Sequence, residues 1–231
     1  MKKTFAVLAL AASLVPFAGA HAAVISFSND KALTRTNWTD HLSFGKFDSS
    51  LGTLNSIRFD LTGVIRGSGS VESQDSEATT VALTLSSLLT LMRPNGTTLV
   101  VSNPVFNQIF NLAPADDNPD DFSGPAGGTT GTVTKSASEY FISTNANATD
   151  FALFSALGGG TISLGVNARG NSNADASGNV DTRFRTNAGA SVKVSYDYTP
   201  FAEVPEPASV ALILGGLGLL GLSRRRFGGK A

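Results

Sequence analysis

The chain has 231 residues, a formal net charge of −1 at pH 7, two histidines and no cysteine. The missing cysteines exclude disulfides, thiolate zinc sites and cysteine nucleophiles. Residues 23–204 keep 11 basic and 17 acidic residues, a net charge of −6. This charge argues against nucleic acid as a partner, because phosphate binding needs basic patches.

Residues 1–22 have the pattern of a secretory signal peptide. Two lysines give a basic start, and a mostly apolar stretch follows at residues 5–17. Small residues at the −3 and −1 positions allow signal peptidase to cut after Ala20 or after Ala22, and cleavage after Ala22 is favoured. We therefore predict that the protein is exported.

Residues 23–200 predict a single all-β domain. Short stretches rich in Val, Ile, Thr and Phe are separated by Gly, Asn, Asp and Ser, which is typical of strands and turns. Strands are predicted at residues 57–65, 81–91, 97–101, 105–110, 139–143, 151–154, 161–168 and 191–198. No convincing amphipathic helix accompanies them, so the predicted architecture is a jelly-roll-like β-sandwich. The polar residues 113–134 are expected to form a surface excursion.

Residues 47–54, Phe-Asp-Ser-Ser-Leu-Gly-Thr-Leu, predict a turn between strands. Asp48 and Ser49 can cap the turn, and Phe47, Leu51 and Leu54 are expected to face the core. A structural role of this kind explains the segment better than a ligand site does.

The same segment and the closing residues 192–198, Val-Lys-Val-Ser-Tyr-Asp-Tyr, resemble the choice-of-anchor E domain family. The resemblance spans most of residues 25–199. Domains of this family occur with varying surface-sorting tails, and no reaction is assigned to them. The resemblance therefore implies a surface-sorted domain to which no reaction is assigned.

Two polar segments carry oxygen ligands at alternate positions and are candidates for weak calcium binding. One is Asp116, Asn118 and Asp120, and the other is Asn171, Asn173 and Asp175. Hard oxygen ligands suit calcium, but neither segment has the glycine and distal glutamate of an EF-hand. Solvated polar loops are the alternative interpretation.

Catalysis is not expected. A Ser-His-Asp triad would have to use His41, whose neighbour Asp40 points to the opposite face of a strand, and no G-x-S-x-G elbow is present. The remaining acids cluster in loops without the apolar surroundings that raise the pKa of a proton donor. We predict no enzymatic activity and no cofactor apart from the candidate calcium.

Trp38 is the sole tryptophan, and it is the candidate for stacking on a sugar ring. A half-buried position in a strand is the alternative explanation for this residue. The sequence therefore leaves a carbohydrate-binding module open as a second function.

The C-terminal segment 201–231 combines three features in a fixed order. Val204, Pro205, Glu206 and Pro207 form an extended, accessible strip, because each proline disfavours helix at the residue before it. A charge-free apolar run follows, and residues 208–223 are predicted to form one transmembrane helix, although the run is short for a span. Arg224, Arg225 and Arg226 then form a basic cluster expected on the cytoplasmic side.

This arrangement resembles a PEP-CTERM sorting signal. The resemblance implies recognition by an exosortase, a membrane-embedded transpeptidase that would cut near Pro205-Glu206-Pro207, with residues 208–223 as a transient membrane anchor. We therefore expect an inner-membrane-anchored precursor that becomes a cell-surface or extracellular-matrix protein. The resemblance also implies a link to exopolysaccharide and biofilm formation, with exopolysaccharide as a partner.

Overall fold

The computed structural model describes residues 22–116 and 121–201. Apart from Ala22, the predicted signal peptide lies outside these ranges. So do the sorting motif at 204–207, the apolar segment 208–223, the arginines 224–226, and the calcium candidates Asn118 and Asp120. Within the described ranges, no helix is long and apolar enough to cross a membrane.

Residues 22–199 form one compact unit built almost entirely from antiparallel strands. One sheet contains β1 (Ala23–Arg35), β4 (Gly52–Ser73), β8 (Gly127–Thr129), β9 (Val133–Thr144) and β13 (Val180–Pro200). The other contains β2 (Trp38–Gly45), β5 (Thr79–Met92), β6 (Thr98–Ser102), β7 (Val105–Leu112), β11 (Thr161–Gly170) and β12 (Asn173–Ala176). Two further strands, β3 (Phe47–Asp48) and β10 (Ser155–Ala156), form a short parallel pair, and α1 spans Ala148–Phe154.

The first sheet is organised around β4 and β13, which lie side by side with β1 on the far side of β13. The other edge of β4 pairs with β9 along its first two thirds and with β8 near its end. In β4, Ile57, Phe59 and Leu61 are fully buried, and the polar residues between them face outward. This period of two buries one face of the sheet and leaves the other for solvent.

The second sheet is organised around the long strand β5. Its first half pairs with β7 and β12, and its second half pairs with β6 and β11. The edge strand β2 then pairs with β11 in continuous register from Trp38 to Gly45. Leucines 85, 89 and 91 of β5 belong to the same buried cluster as the inward residues of β4. The two sheets therefore pack face to face, and the predicted all-β sandwich is confirmed in this sense.

Tyr196 on β13 crosses the core between the two sheets. Its ring is fully buried between Phe27 and Phe47, and its hydroxyl donates a hydrogen bond of 2.8 Å to the Gly45 carbonyl oxygen on β2. Burial raises the pKa of this phenol above its usual value, because the charged form would lose its hydration. The residue thus ties β13 to the edge of the opposite sheet.

The prediction of a strand at residues 151–154 is wrong, because these residues lie in helix α1. Phe151 and Phe154 are three positions apart, so both face the core from one side of a helix. Phe154 is fully buried and meets the ring of Phe59 edge-on at 4.9 Å. A run of four residues is too short to distinguish a helical period from a strand period.

The turn predicted at residues 47–54 is present, with one difference in the packing. The Asp48 carboxylate accepts hydrogen bonds from the backbone N–H groups of Ser50 and Gly158, both at 2.9 Å, and these bonds lower its pKa. Phe47 is buried and Leu54 packs partly against the core, as expected. Leu51 is instead 42% exposed, because it sits at the tip of the turn.

The surface excursion predicted at residues 113–134 contains secondary structure that the sequence did not reveal. Strand β8 pairs with β4 through Thr129, Gly128 and Gly127, and β9 begins at Val133. Gly128 is required there because a Cβ would collide with the ring of Phe110. The glycines that suggested a loop therefore allow a close approach of two strands.

Candidate functional site

A shallow groove with a volume of about 520 Å³ opens where β2 begins and β11 ends. It is lined by Asn37, Trp38, Thr39, Asn167, Ala168, Arg169 and Gly170. The register pairs Thr39 with Asn167 and Trp38 with Ala168, so two neighbouring strands and Asn37, just before β2, supply the lining. Its size is within the range of small-ligand sites.

The polar walls of this β2–β11 groove are held by backbone contacts. The Asn37 side-chain oxygen accepts a 2.7 Å hydrogen bond from the N–H of Gly170, which joins the two ends of the groove. The carbonyl oxygen of Arg169 accepts a 3.0 Å bond from the Ser87 hydroxyl on β5. These bonds fix the backbone while the Arg169 side chain stays exposed. The groove can therefore offer preorganised amides, a hydroxyl and a cation to a polar ligand.

Trp38, the predicted sugar-stacking residue, lines this groove, but much of its ring is already engaged. The residue is half-buried and packs against the core, and its indole N–H donates a 3.1 Å bond to the Ala188 carbonyl oxygen. The Lys31 ammonium lies 5.7 Å from the ring centroid and also pairs with Asp40 at 2.7 Å. Trp38 thus occupies the half-buried strand position, and its role in stacking stays a prediction.

The groove has no general acid or general base among its lining residues. Neither a carboxylate nor a histidine is among its lining residues, and His41 is an exposed residue further along β2. A neutral amide and a guanidinium hold a ligand but do not exchange protons readily near neutral pH. This arrangement can bind and orient a ligand.

The second calcium candidate is not the loop that the sequence suggested. Asn173 and Asp175 lie in β12, opposite Thr84 and Ala82 of β5, and both are exposed on one face of the strand. Asn171 precedes the strand, and its N–H bonds to the Ser86 carbonyl oxygen. Alternate residues of a strand are about 6.8 Å apart, which differs from the tight curvature of a calcium-binding loop.

Asp116, from the first calcium candidate, is exposed at the border of the described ranges. No group of three or more His, Cys, Asp or Glu side chains able to hold a metal ion is found among residues 22–116 and 121–201. Calcium binding by either segment stays a prediction.

Sequence reasoning missed a buried ion pair between Arg93 and Asp150. Arg93 Nε and Nη2 donate to the two oxygens of Asp150 at 2.6 and 2.9 Å, and the Ser143 hydroxyl donates to the same carboxylate at 2.8 Å. The hydrogen bonds from Arg93 lower the pKa of Asp150 despite the opposing effect of burial. Arg93 also donates to the Thr98 carbonyl oxygen, so the pair connects the β5–β6 turn, β9 and α1.

One weak indication of this pair is present in the sequence. Asp150 follows Asn147 by three positions and lies in the first turn of α1, where acids are favoured near a helix N-terminus. Nothing local identifies Arg93 as its partner, because 57 residues separate them.

A comparison with protein families finds the PEP-CTERM protein-sorting motif at residues 203–226. The chain therefore carries the sorting motif that its tail resembles. The match covers the tail and does not extend to the β-sandwich, so a choice-of-anchor E domain is not confirmed. No curated protein matches the chain.

Solved structures similar to the chain are viral proteins with little sequence identity. A chain from the structure of infectious bursal disease virus Gx strain is 9% identical, with 87% of this chain and 51% of that chain covered and a TM-score of 0.19. A chain of the T13 particle of the same virus is 15% identical, with 87% and 48% covered and a TM-score of 0.14. The chain thus spans about half the length of these viral chains, and TM-scores this low do not establish a shared fold.

Proposed function

We propose that this protein is a non-enzymatic cell-surface or extracellular-matrix protein whose β-sandwich is the cargo of an exosortase. The PEP-CTERM motif at residues 203–226 carries this proposal, because it indicates an exported protein that an exosortase processes. The precursor is directed outward by residues 1–22 and held in the inner membrane by residues 208–223. Cleavage near Pro205-Glu206-Pro207 then transfers the domain to the outside.

The composition of the tail supports this route. An apolar run favours the hydrocarbon layer, and a terminal arginine cluster resists translocation, so export stops with the arginines in the cytoplasm. Each of the two prolines disfavours helix at the residue before it, so we expect the segment before the anchor to be open to an enzyme. The domain itself is proposed to be a choice-of-anchor E-like sandwich of jelly-roll type, with a role in exopolysaccharide or biofilm formation.

Intact-mass analysis of the protein from cells with and without the exosortase tests the sorting route. We expect the mature mass to lack residues 1–22 and the segment after the cleavage site when the exosortase is present. Without the enzyme, or with Pro205→Ala and Pro207→Ala together, the mass should retain the tail. A full-length tail in cells that contain an active exosortase would contradict the proposal.

A carbohydrate-binding module, assisted by calcium or independent of it, is the alternative function. The β2–β11 groove favours it, because two amide side chains, a hydroxyl and a guanidinium surround one open space beside Trp38. A glycan array with Trp38→Ala and Arg169→Ala variants tests this function, in the presence of calcium and of a chelator. A selective signal that both variants weaken supports binding in the groove, and the absence of any signal counts against it.

A further inference from the structure

Besides Arg58, the outer face of the first sheet carries four arginines whose side chains do not contribute to the core. We define the arginine face as Arg35, Arg66, Arg183 and Arg185. All four are exposed, although residues 23–204 have a net charge of −6. Neighbouring arginines repel one another, so their clustering costs folding free energy. On a domain with a negative net charge, such a cluster indicates a surface that binds an anionic partner.

The register places these arginines on adjacent strands. Arg35 on β1 lies opposite Asn187 on β13, and opposed residues of an antiparallel pair share a face. On the other side of β13, the Asn187 amide donates a 3.4 Å bond to the Arg66 carbonyl oxygen on β4. Arg35 and Arg66 therefore lie on either side of Asn187. Their backbones are two strand spacings, or roughly 10 Å, apart.

The burial pattern confirms that the remaining arginines point the same way. Thr186 and Ala188 are buried, so Asn187, Arg185 and Arg183 alternate with them on the outer face of β13. A Cβ at Gly67 would collide with the Arg185 carbonyl oxygen, which places Arg185 beside the Arg66–Gly67 segment. Successive arginines along β13 are about 6.8 Å apart.

Charge compensation on this face is sparse. Within the described part of the chain, Arg35, Arg66 and Arg185 make no ion pair, whereas Arg58 on the same face pairs with Asp60 at 2.7 Å. Arg183 stacks over the Phe122 ring at 4.7 Å, and Asp181 is the nearest acid along β13. The arginine face therefore presents guanidinium groups that remain free to meet an anionic partner.

We propose that the arginine face binds an acidic polysaccharide through its carboxylates. Guanidinium groups bind carboxylates with two parallel hydrogen bonds, and the Asn187, Ser68 and Ser70 side chains between them suit sugar hydroxyls. This inference rests on the proposed role in exopolysaccharide formation and adds to it a binding site and an acidic class of polymer. It depends neither on the sorting route nor on the β2–β11 groove.

The acidity of the domain favours a polysaccharide over a nucleic acid. Duplex DNA carries one charge per roughly 1.7 Å of its axis, and proteins bind it by neutralising several phosphates with Lys and Arg. Residues 23–204 have a net charge of −6, so the acidic remainder of the domain repels such a dense polyanion. A polymer with one carboxylate per sugar carries fewer charges along its length and is repelled less.

Binding of the purified full-length protein to immobilised polygalacturonate tests the proposal. The test variant is Arg35→Gln, Arg66→Gln and Arg185→Gln combined. The control variant, Lys46→Gln, Lys135→Gln and Lys193→Gln, loses the same net charge at other places in the chain. Thermal unfolding of each variant checks that the sandwich is intact, and Arg169→Gln reports separately on the groove.

We expect the test variant to bind roughly tenfold more weakly, about twofold for each exposed charge pair removed, and the control variant to lose less than twofold. Methyl esterification of the polymer and added salt should both weaken binding, and dextran and duplex DNA should bind much less. The proposal would be overturned by no binding of wild type to polygalacturonate, by equal losses in the test and control variants, or by a preference for DNA. A loss confined to Arg169→Gln would overturn it in favour of the groove.

Should the test variant unfold, Arg35→Lys, Arg66→Lys and Arg185→Lys combined provides a second measurement. Lysine keeps the charge but lacks the planar fork that grips a carboxylate with two bonds. We expect intermediate affinity with a stronger relative loss at high salt. Affinity equal to wild type would contradict the assignment of bidentate contacts.

Discussion

The buried Arg93–Asp150 pair should be the most sensitive polar contact in the sandwich. The Asp150 side chain is 4% exposed and that of Arg93 is 19% exposed, so each charge depends on the other for its solvation. Replacing Asp150 by Asn leaves the guanidinium without a counter-charge, and breaking a buried pair in this way costs about 3 kcal/mol of unfolding free energy. Urea denaturation, followed by tryptophan fluorescence, should show the midpoint falling by roughly 1 M or more.

A double-mutant cycle separates the pair from the packing around it. Arg93→Met and Asp150→Leu should each destabilise strongly, while the double variant should recover part of the loss, because an apolar replacement leaves no unpaired charge. The exposed pair of Arg58 and Asp60 is the matched control, and Asp60→Asn should change the midpoint little. Additive losses in the cycle, or a midpoint for Asp150→Asn equal to wild type, would refute the reasoning.

The same pair predicts a direction for the pH dependence of stability. The pKa of Asp150 is lowered in the folded state, so its contribution is present above the unfolded pKa of about 3.9 and is lost as pH falls through the folded pKa. Wild type should therefore lose stability steeply in acid, and Asp150→Asn should lose less over the same interval. Parallel curves for the two proteins would assign the acid sensitivity to other carboxylates.

Three further predictions concern the edge where the two sheets meet. Tyr196→Phe should cost about 1 kcal/mol, measured by denaturation, because it removes the hydrogen bond from the buried phenol to the half-buried Gly45 carbonyl oxygen. Gly45→Ala should destabilise by about 1–3 kcal/mol, because the new Cβ would collide with the Phe27 ring, and an unchanged midpoint would mean that this ring moves freely. The pKa of Asp40, followed by NMR, should lie below 3.8 and should rise in Lys31→Gln, since the Lys31 ammonium is the largest cause of the shift. Equal titration curves for Asp40 in the two proteins would show that the pair does not form in solution.

The parts of the fold that the sequence predicted are those with one buried and one solvated face. In β4, the alternation of apolar and polar residues from Ile57 to Thr62 reveals both the strand and its orientation. The short strand β12, Asn-Ala-Asp-Ala, has no such signal, because its side chains are small or polar and its partner β5 supplies the hydrophobic residues. Its polar composition suggested a loop, although its backbone bonds are those of a strand.

The groove and the arginine face could not be predicted for a related reason. Asn37 and Gly170 meet across 133 positions of sequence, and Arg35 and Arg66 become neighbours only because β13 lies between their strands. Pattern analysis detects periodicity within a segment, whereas these sites depend on the order of strands in the sheets. The net charge of residues 23–204 argued against an anion-binding face, because a net charge does not show how positive and negative residues are distributed over the surface.

The separation of core and surface makes the binding proposals testable independently of stability. The residues of the main buried cluster between the sheets are apolar apart from the Tyr196 hydroxyl, whereas the side chains of the arginine face point away from that core. Surface substitutions of this kind usually change the unfolding free energy by less than about 0.5 kcal/mol. A large loss of polymer binding in Arg35→Gln, Arg66→Gln and Arg185→Gln would therefore report on the ligand contact itself.

The repulsion between these like charges predicts one more effect. The same triple variant should be slightly more stable than wild type at low salt, and a lower unfolding midpoint would mean that the arginines stabilise the fold instead.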